Sequence, residues 1–416
     1  MPNPAPRRQA AAAFVLVTVF LDMLSIGIMI PVLPHLIKDF VGGSVSTAGL
    51  WTGVFGMAWG IAQFIFSPIQ GGLSDSIGRR PVILASNLGT GIDYLLMAVA
   101  PNLWWLLVGR VISGVTAASV STAYAYMSDV TPPEGRSKIF GMMGAAFGIG
   151  FIVGPAVSGF LGDANPHLPL FFAAALSLAN FLYGVFVLPE SLPEDRRRPF
   201  SFRAANPVGA VKFLARSGQV LRLAVMYLLM MFSQNVYPTT FVLYAGYRFH
   251  WGLREVSLCL SAVGVMAAVV QAGLTGTIVR RIGERRAMFL GLICAIVAFL
   301  GYGLAPTWWS FVIFMPIGAF GGLAAPNIQS LMTGYVAPNE QGALQGANSA
   351  LSSLANMCAP LVFGTVLSFV TRPDVPPLFS GAAFCVSGLF VTFGLILALG
   401  VHHKTKAAAV TDPDAA

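Results

Sequence analysis

Gly71-Gly-Leu-Ser-Asp75-Ser-Ile-Gly78-Arg79-Arg80 lies between two long apolar runs, and Gly276-Thr-Ile-Val-Arg280-Arg-Ile-Gly283-Glu284-Arg285 lies between two others. The stretches align without gaps at an offset of 205 residues, and Pro155 and Pro360 keep the same offset. A chain that repeats both a loop and a helix-perturbing residue at one spacing is read here as a duplication. What flanks the two copies then sets the fold.

The flanks are greasy. Of 416 residues, 56% are hydrophobic and 10% charged, against about 25% charged in ordinary soluble domains. Such a chain cannot cover itself with polar surface, so its solvent is lipid. A span needs about 20 mostly apolar residues. Twelve candidates are expected near 11–36, 47–70, 81–100, 103–127, 138–161, 167–188, 220–245, 255–279, 287–304, 307–332, 343–369 and 378–401. The expectation is an all-α membrane protein: a first six-helix half at 1–188, a linker at 189–219, a second half at 220–401 and a polar tail at 402–416. Arg7 and Arg8 precede a first run too long for a signal peptide, followed by many more spans, so that run reads as the first membrane helix.

An even number of spans puts both termini on one side. Nineteen Lys and Arg residues fall on that side, and four, Lys38, Arg248, Arg254 and Arg372, on the other, with Arg110 left inside a span. The positive-inside rule then makes both termini cytoplasmic, in a bacterial inner membrane. The same distribution accounts for the formal charge of +8 without a nucleic-acid partner, since no basic patch is interleaved with aromatics. Cys259, Cys294, Cys358 and Cys385 lie in apolar runs without metal-ligand spacing and read as small core residues. No nucleotide loop, metal cluster or catalytic triad is legible, so neither a cofactor nor enzymatic chemistry is expected. Partners are expected to be a small solute, protons and the bilayer, with the chain working as a monomer.

Ionisable residues at membrane depth are expensive and therefore functional candidates. Only Asp22, Asp93 and Arg110 are well inside spans, all in the first half. Asp22 shares a helix face with Thr18, Ser25 and Met29. A desolvated carboxylate there suits proton carriage; the alternative is a structural acid that never titrates. Arg110 needs an anionic partner, and Asp22 or Asp93 could be it; such a pair would make the acid's proton affinity depend on conformation, so Asp22, Asp93 and Arg110 are together the expected proton-coupling residues, the alternative being a static pair that fixes helix packing. Asp75 and Arg79, four residues apart, can bridge to each other, to Asp129 at the end of helix four, or to a helix N-terminus of the other half. In the second half, Gln234, Tyr237, Phe241 and Tyr244 follow helical spacing in helix seven, and Asn348, Ser352 and Asn356 recur every four residues in helix eleven. Amides and aromatics can orient an amphiphilic ligand, although such stripes also arise from helix packing. Gln63, Gln271 and Gln329 are weaker candidates. Pro31, Pro34, Pro155, Pro238, Pro326 and Pro360 permit kinks. The segment Glu190–Arg203 reads as a solvated linker, and Val208–Arg222 as a stretch along the membrane surface. Duplicated halves of this kind place a solute site near the midplane between them.

Several of these residues carry a resemblance to the major facilitator superfamily, and within it to the drug/proton antiporters. The Gly71–Arg80 stretch resembles that superfamily's hallmark loop, and Gly150, Gly154, Pro155 and Gly159 resemble the antiporter motif of helix five. Leu21-Asp22-Met-Leu-Ser-Ile-Gly27-Ile-Met-Ile-Pro31-Val-Leu-Pro34 is similar to helix one of the tetracycline/proton antiporters, as are Asp93-Tyr94, Gly109-Arg110-Val-Ile-Ser-Gly114, Pro326-Asn-Ile-Gln329 and Gln345-Gly346. The resemblance implies alternating access, proton-coupled export of amphiphilic drugs or metabolites, and a latch at Gly71, Asp75, Gly78, Arg79 and Asp129. A symporter or facilitator for a polar metabolite, or a non-transporting membrane receptor or lipid-handling protein, remain alternatives. One departure stands out. The tetracycline antiporters carry an aspartate in helix nine where this chain has Ala295, so a metal–tetracycline chelate is not expected as its main substrate.

Overall fold

The computed structural model describes residues 4–117, 119–197, 199, 213–337 and 340–401. The expected tail at 402–416 and the middle of the expected linker, with Arg203 and Lys212, lie outside the described residues. The described residues form helices and connecting turns, without a strand. Twelve helices are long and apolar enough to cross a membrane, one for each expected span. We number them α1 (Pro4–Phe40), α2 (Val45–Ile77), α3 (Arg79–Ala98), α4 (Leu103–Val130), α5 (Arg136–Gly162), α6 (Leu168–Val187), α7 (Gly218–Phe249), α8 (Leu253–Ile282), α9 (Glu284–Leu304), α10 (Trp308–Thr333), α11 (Gln341–Val370) and α12 (Pro377–Leu399). Residues 218–222, expected along the membrane surface, instead open α7, because their apolar neighbours continue the helix without a break.

Lipid offers the backbone no hydrogen bonds, so each span closes its own ladder and its ends need partners. Several start with a side-chain cap. Ser44 accepts from the Thr47 N–H at 3.3 Å, and Asn102 from those of Trp104 and Trp105. At α8, Glu255 accepts from the Gly252 N–H at 2.9 Å. These caps lie on the side opposite the termini, where spans are joined by short turns.

Four spans are locally irregular. α4 breaks after Val115 and resumes at Ser119, and α10 breaks between Gly321 and Ala324. Those interruptions fall close to the 205-residue offset. α7 turns at Asn235, and α8 widens into a π-helical stretch over Val269–Leu274. Pro238 and Pro326 each sit in the first turn of a resumed helix, where a missing N–H removes no hydrogen bond. Helix continues through Pro31, Pro34, Pro155 and Pro360.

The first six and last six spans meet along two seams, α2 with α11 and α5 with α8. A side-chain carbon on Gly53 would lie 2.6 Å from the Pro360 carbonyl, and one on Gly364 would lie 2.8 Å from the Gly53 Cα. Only glycine allows α2 and α11 this close. Along α5–α8, Gly159 packs on Ser257, and the Ser261 hydroxyl donates to the Ile152 carbonyl at 2.9 Å. Ser46 donates to the Ser368 carbonyl at 2.6 Å, and Arg254 pairs with Asp163 at 3.6 Å. All these contacts lie in the membrane half away from the termini. Towards the termini the seams part: a carbon built on Gly71, Gly141, Gly144, Gly148, Gly273, Gly276, Gly342 or Gly346 meets nothing within 4 Å. The molecule is therefore open on the side of its termini and closed on the other.

Candidate functional site

A cavity of about 390 Å³ lies between the seams. Asp22, Met29 and Leu33 of α1 line it, with Tyr94 of α3 and Arg110 and Ser113 of α4. A single face of α2 supplies Thr52, Phe55, Trp59 and Gln63. The later spans contribute Asn235, Pro238 and Thr239 from α7, and Asn356 and Pro360 from α11.

Asp93 is the partner of Arg110. The two form an ion pair in which Asp93 is fully buried and Arg110 is 5% exposed. A second guanidinium nitrogen lies 3.7 Å from the Met29 sulfur. Asp93 lies behind Arg110 and does not line the cavity. Asp22 does, at 7% exposure, and its Oδ2 has no hydrogen-bond partner. The rest of its helix face is bound to α6: the Thr18 hydroxyl donates to Asn180 Oδ1 at 3.3 Å, and Ser25 and Ser177 lie 3.5 Å apart. One cation is thus already neutralised, while one carboxylate faces the cavity without a cation paired to it.

The stripe of α7 is divided by the turn at Asn235. Phe241 and Tyr244 are buried, with Phe241 stacked on Phe311 at 5.5 Å and 26°. Tyr244 donates to the Tyr302 carbonyl at 2.8 Å. Tyr237 packs among Phe299, Tyr302 and Phe384. This aromatic cluster lies inside the second six spans, and it is the opposite face, Asn235 and Thr239, that reaches the cavity. Gln234 is half-buried beside the turn and does not line it. In α11, Asn356 lines the cavity and accepts from the Asn235 amide at 3.0 Å. Ser352 instead lies 3.0 Å from the Tyr227 hydroxyl, and Asn348 is buried with both amide atoms unpartnered. Sequence reasoning missed Phe55, Trp59, Tyr94, Asn235 and Thr239. The spacing of Thr52, Phe55, Trp59 and Gln63 is one helical face and was the available signal.

At the α2–α3 corner, Gly78 has φ +111°, a conformation open to glycine. Arg79 pairs with Asp75 and, at 3.2 Å, with Asp129, and donates to Ser74 at 2.8 Å. Glu190 belongs to this corner: its carboxylate accepts backbone N–H groups there, so the expectation of a solvated segment fails at its first residue. Gly150 and Gly154 bring α5 against α1, where a carbon on Gly154 would lie 2.7 Å from the Gly27 Cα. Gly27 packs on Pro155 in turn, while Gly159 faces α8. Ala295 is buried, and a carbon on Gly321 of α10 would lie 3.1 Å from its Cβ. Position 295 therefore lies in the α9–α10 seam and not on the cavity. No group of three or more His, Cys, Asp or Glu residues suited to a metal occurs among the described residues.

The family model of the Major Facilitator Superfamily matches residues 15–360 and 272–411. The class C tetracycline resistance protein of Escherichia coli is 37% identical over 85% of this chain and 88% of its own length. Multidrug resistance protein 2 of Bacillus subtilis (strain 168) is 30% identical over 90% and 92%. Among solved structures, the human organic anion transporter MFSD10 (TETRAN) superposes with a TM-score of 0.68 at 24% identity, covering 94% of this chain and 99% of that one. The nucleoside transporter NupG superposes at 0.76 with 14% identity, covering 94% and 98%. These two structures speak for the fold alone.

Proposed function

This chain belongs to the major facilitator superfamily, and on that premise we propose that it exports amphiphilic drugs or metabolites in exchange for protons, by alternating access. The observation that carries the reading is the Asp22 carboxylate. It faces the cavity, is nearly buried, and has an oxygen without a partner, while Arg110 is held by Asp93. A carboxylate in that setting can exchange a proton with the cavity, and a solute entering the same space competes with it. The Arg110–Asp93 pair holds α3 against α4 behind it.

The two six-helix halves, 1–188 and 220–401, are the rocking bodies, and the structure's open side is the cytoplasmic side, where both termini lie in a bacterial inner membrane. That assignment rests on the distribution of Lys and Arg. Asp75, Arg79 and Asp129 with Gly71 and Gly78 act as a latch in this state, and Gly150, Gly154, Pro155 and Gly159 keep the far side tightly packed. The solute contacts Phe55, Trp59, Tyr94, Asn235 and Asn356. Several relatives are named for resistance to tetracycline and one to quinolones. Position 295 lies off the cavity, so the preference for lipophilic solutes over a metal–tetracycline chelate rests instead on a wall that is mostly apolar and aromatic, with Asp22 as its one carboxylate among the described residues.

Purified protein in liposomes carrying an imposed proton gradient tests the function. A lipophilic dye should accumulate against its own gradient and cease to do so when the proton gradient is dissipated. Dye movement that only equilibrates, whatever the proton gradient, would mark a facilitator.

A further inference from the structure

Glu190 follows α6 and begins the connection to α7. Its Oε1 accepts the N–H of Arg79 at 2.8 Å, of Ser191 at 3.0 Å and of Leu192 at 3.1 Å, and its Oε2 accepts that of Arg80 at 3.2 Å. Two of these donors are the first N–H groups of α3, left open by its own ladder, and the helix dipole favours a negative charge there. The site is built around the carboxylate. A side-chain carbon on Gly78 would overlap it, so glycine is needed there for room as well as for φ. The neighbouring bonds secure the same strand of chain. Tyr126 donates to the Pro189 carbonyl at 2.9 Å, Arg80 to the Val185 carbonyl at 2.6 Å, and the Ser191 hydroxyl to Asp129 Oδ2 at 3.2 Å.

Asp129 Oδ2 also accepts from the Arg79 guanidinium. The first residues of the inter-half connection are thus tied to Arg79 twice, through its backbone N–H by Glu190 and through its side chain by Ser191 and Asp129. Arg79 is the residue that engages Asp75. At the repeat's second copy, by contrast, a carbon on Gly283 meets nothing within 4 Å, and among the described residues no side chain is seen to cap the start of α9.

We propose that Glu190 is a positioning residue of the conformational cycle: it fastens the start of the inter-half connection to the α2–α3 corner, so that movement of the second half is transmitted to the Asp75–Arg79 pair. The proposal rests on the transporter reading. Glu190 touches neither solute nor proton. A glutamine in its place offers one acceptor oxygen and points an amide N–H at a backbone donor, which removes the clamp with little change in volume.

The test uses Glu190→Gln, Arg79→Ala and the double variant in a background with the four cysteines replaced by alanine, carrying Gly342→Cys at the open mouth of α11. Glu190→Gln should lower the maximal rate of uphill dye transport about tenfold, leave the half-saturating dye concentration within about twofold, and lower the melting temperature only slightly, as loss of a helix cap does. Labelling of Gly342→Cys by a membrane-impermeant maleimide from the side of the termini should fall, because the clamp belongs to the state open on that side. The double variant should be no slower than the slower single variant, since both residues act through one element. A normal rate and labelling pattern, losses that multiply in the double variant, or a raised half-saturating concentration at a normal rate would each overturn the proposal. Absent uphill transport in the parent protein would count against the transporter reading instead, and the labelling comparison would still decide the role of Glu190.

Discussion

The two copies of the repeat share a backbone and differ in their wiring. Gly78 and Gly283 both carry a positive φ, +111° and +82°, at the corner between two spans. Around the first, Arg79 pairs with Asp75 and Asp129, and Glu190 caps the next helix. Around the second, Arg280 turns back on its own helix, donating to the Gly276 carbonyl at 3.2 Å and lying 3.5 Å from the Thr277 hydroxyl. The contrast continues inside the membrane. At the 205-residue offset, Asp93 and Arg110 fall on Ala298 and Met315, both buried, so two apolar residues stand where the first copy has an ion pair. The fold thus tolerates either solution, which means that the charges of the first copy are not required to build six packed spans. They are retained at a desolvation cost, and a working part is where such a cost is met.

The comparison can be broken most forcefully at the buried pair. Asp93→Asn leaves the Arg110 guanidinium buried without its carboxylate, and removing one partner of such a pair costs about 3–5 kcal/mol. A large fall in melting temperature and in yield is expected, whereas Met315→Leu in the second copy should change the melting temperature little. Equal, small effects at both positions would erase the distinction. A second large effect belongs to the aromatic cluster of the second copy. Phe241→Ala should destabilise by about 3–5 kcal/mol while leaving the range of transported solutes intact. Trp59→Ala, on the cavity, should change that range with little loss of stability. A competition series with several dyes and a melting curve on each variant checks both.

The aromatic example also marks where sequence reading stopped. The twelve spans and the embedded charges were legible because lipid imposes length and apolarity, and because a lone charge in an apolar run has few explanations. The Gln234, Tyr237, Phe241 and Tyr244 stripe was drawn on a straight helix. The turn at Asn235 divides that helix, and the aromatic face packs inward against Phe311 and Phe384. Glu190 was illegible for another reason: the partners that tie it to the α2–α3 corner are backbone N–H groups more than a hundred residues away, and no periodicity reports a backbone donor. The choice of Asp93 over Asp22 for Arg110 likewise depends on helix rotation, which spacing alone left open.

Smaller effects sharpen the contrast at the corners. Asp75→Asn should alter the balance between access states, read as maleimide labelling of Gly342→Cys, while retaining dye binding. Lost binding with an unchanged labelling pattern would instead assign Asp75 to the pocket. Arg280→Gln, at the equivalent place in the second copy, should change transport by less than about twofold, and a loss as large as that of Asp75→Asn would show that the second corner is also wired.

The central claim is that the cavity-facing Asp22 carboxylate, with one oxygen free of a partner, couples proton movement to solute movement, and comparing uphill with exchange transport in Asp22→Asn tests it most directly. In liposomes, the variant should fail to accumulate dye against a gradient when a proton gradient is imposed. It should still exchange labelled for unlabelled dye across the membrane, because the rocking halves and the aromatic wall of the cavity remain. Accumulation against a gradient at the parent rate in Asp22→Asn would contradict the account.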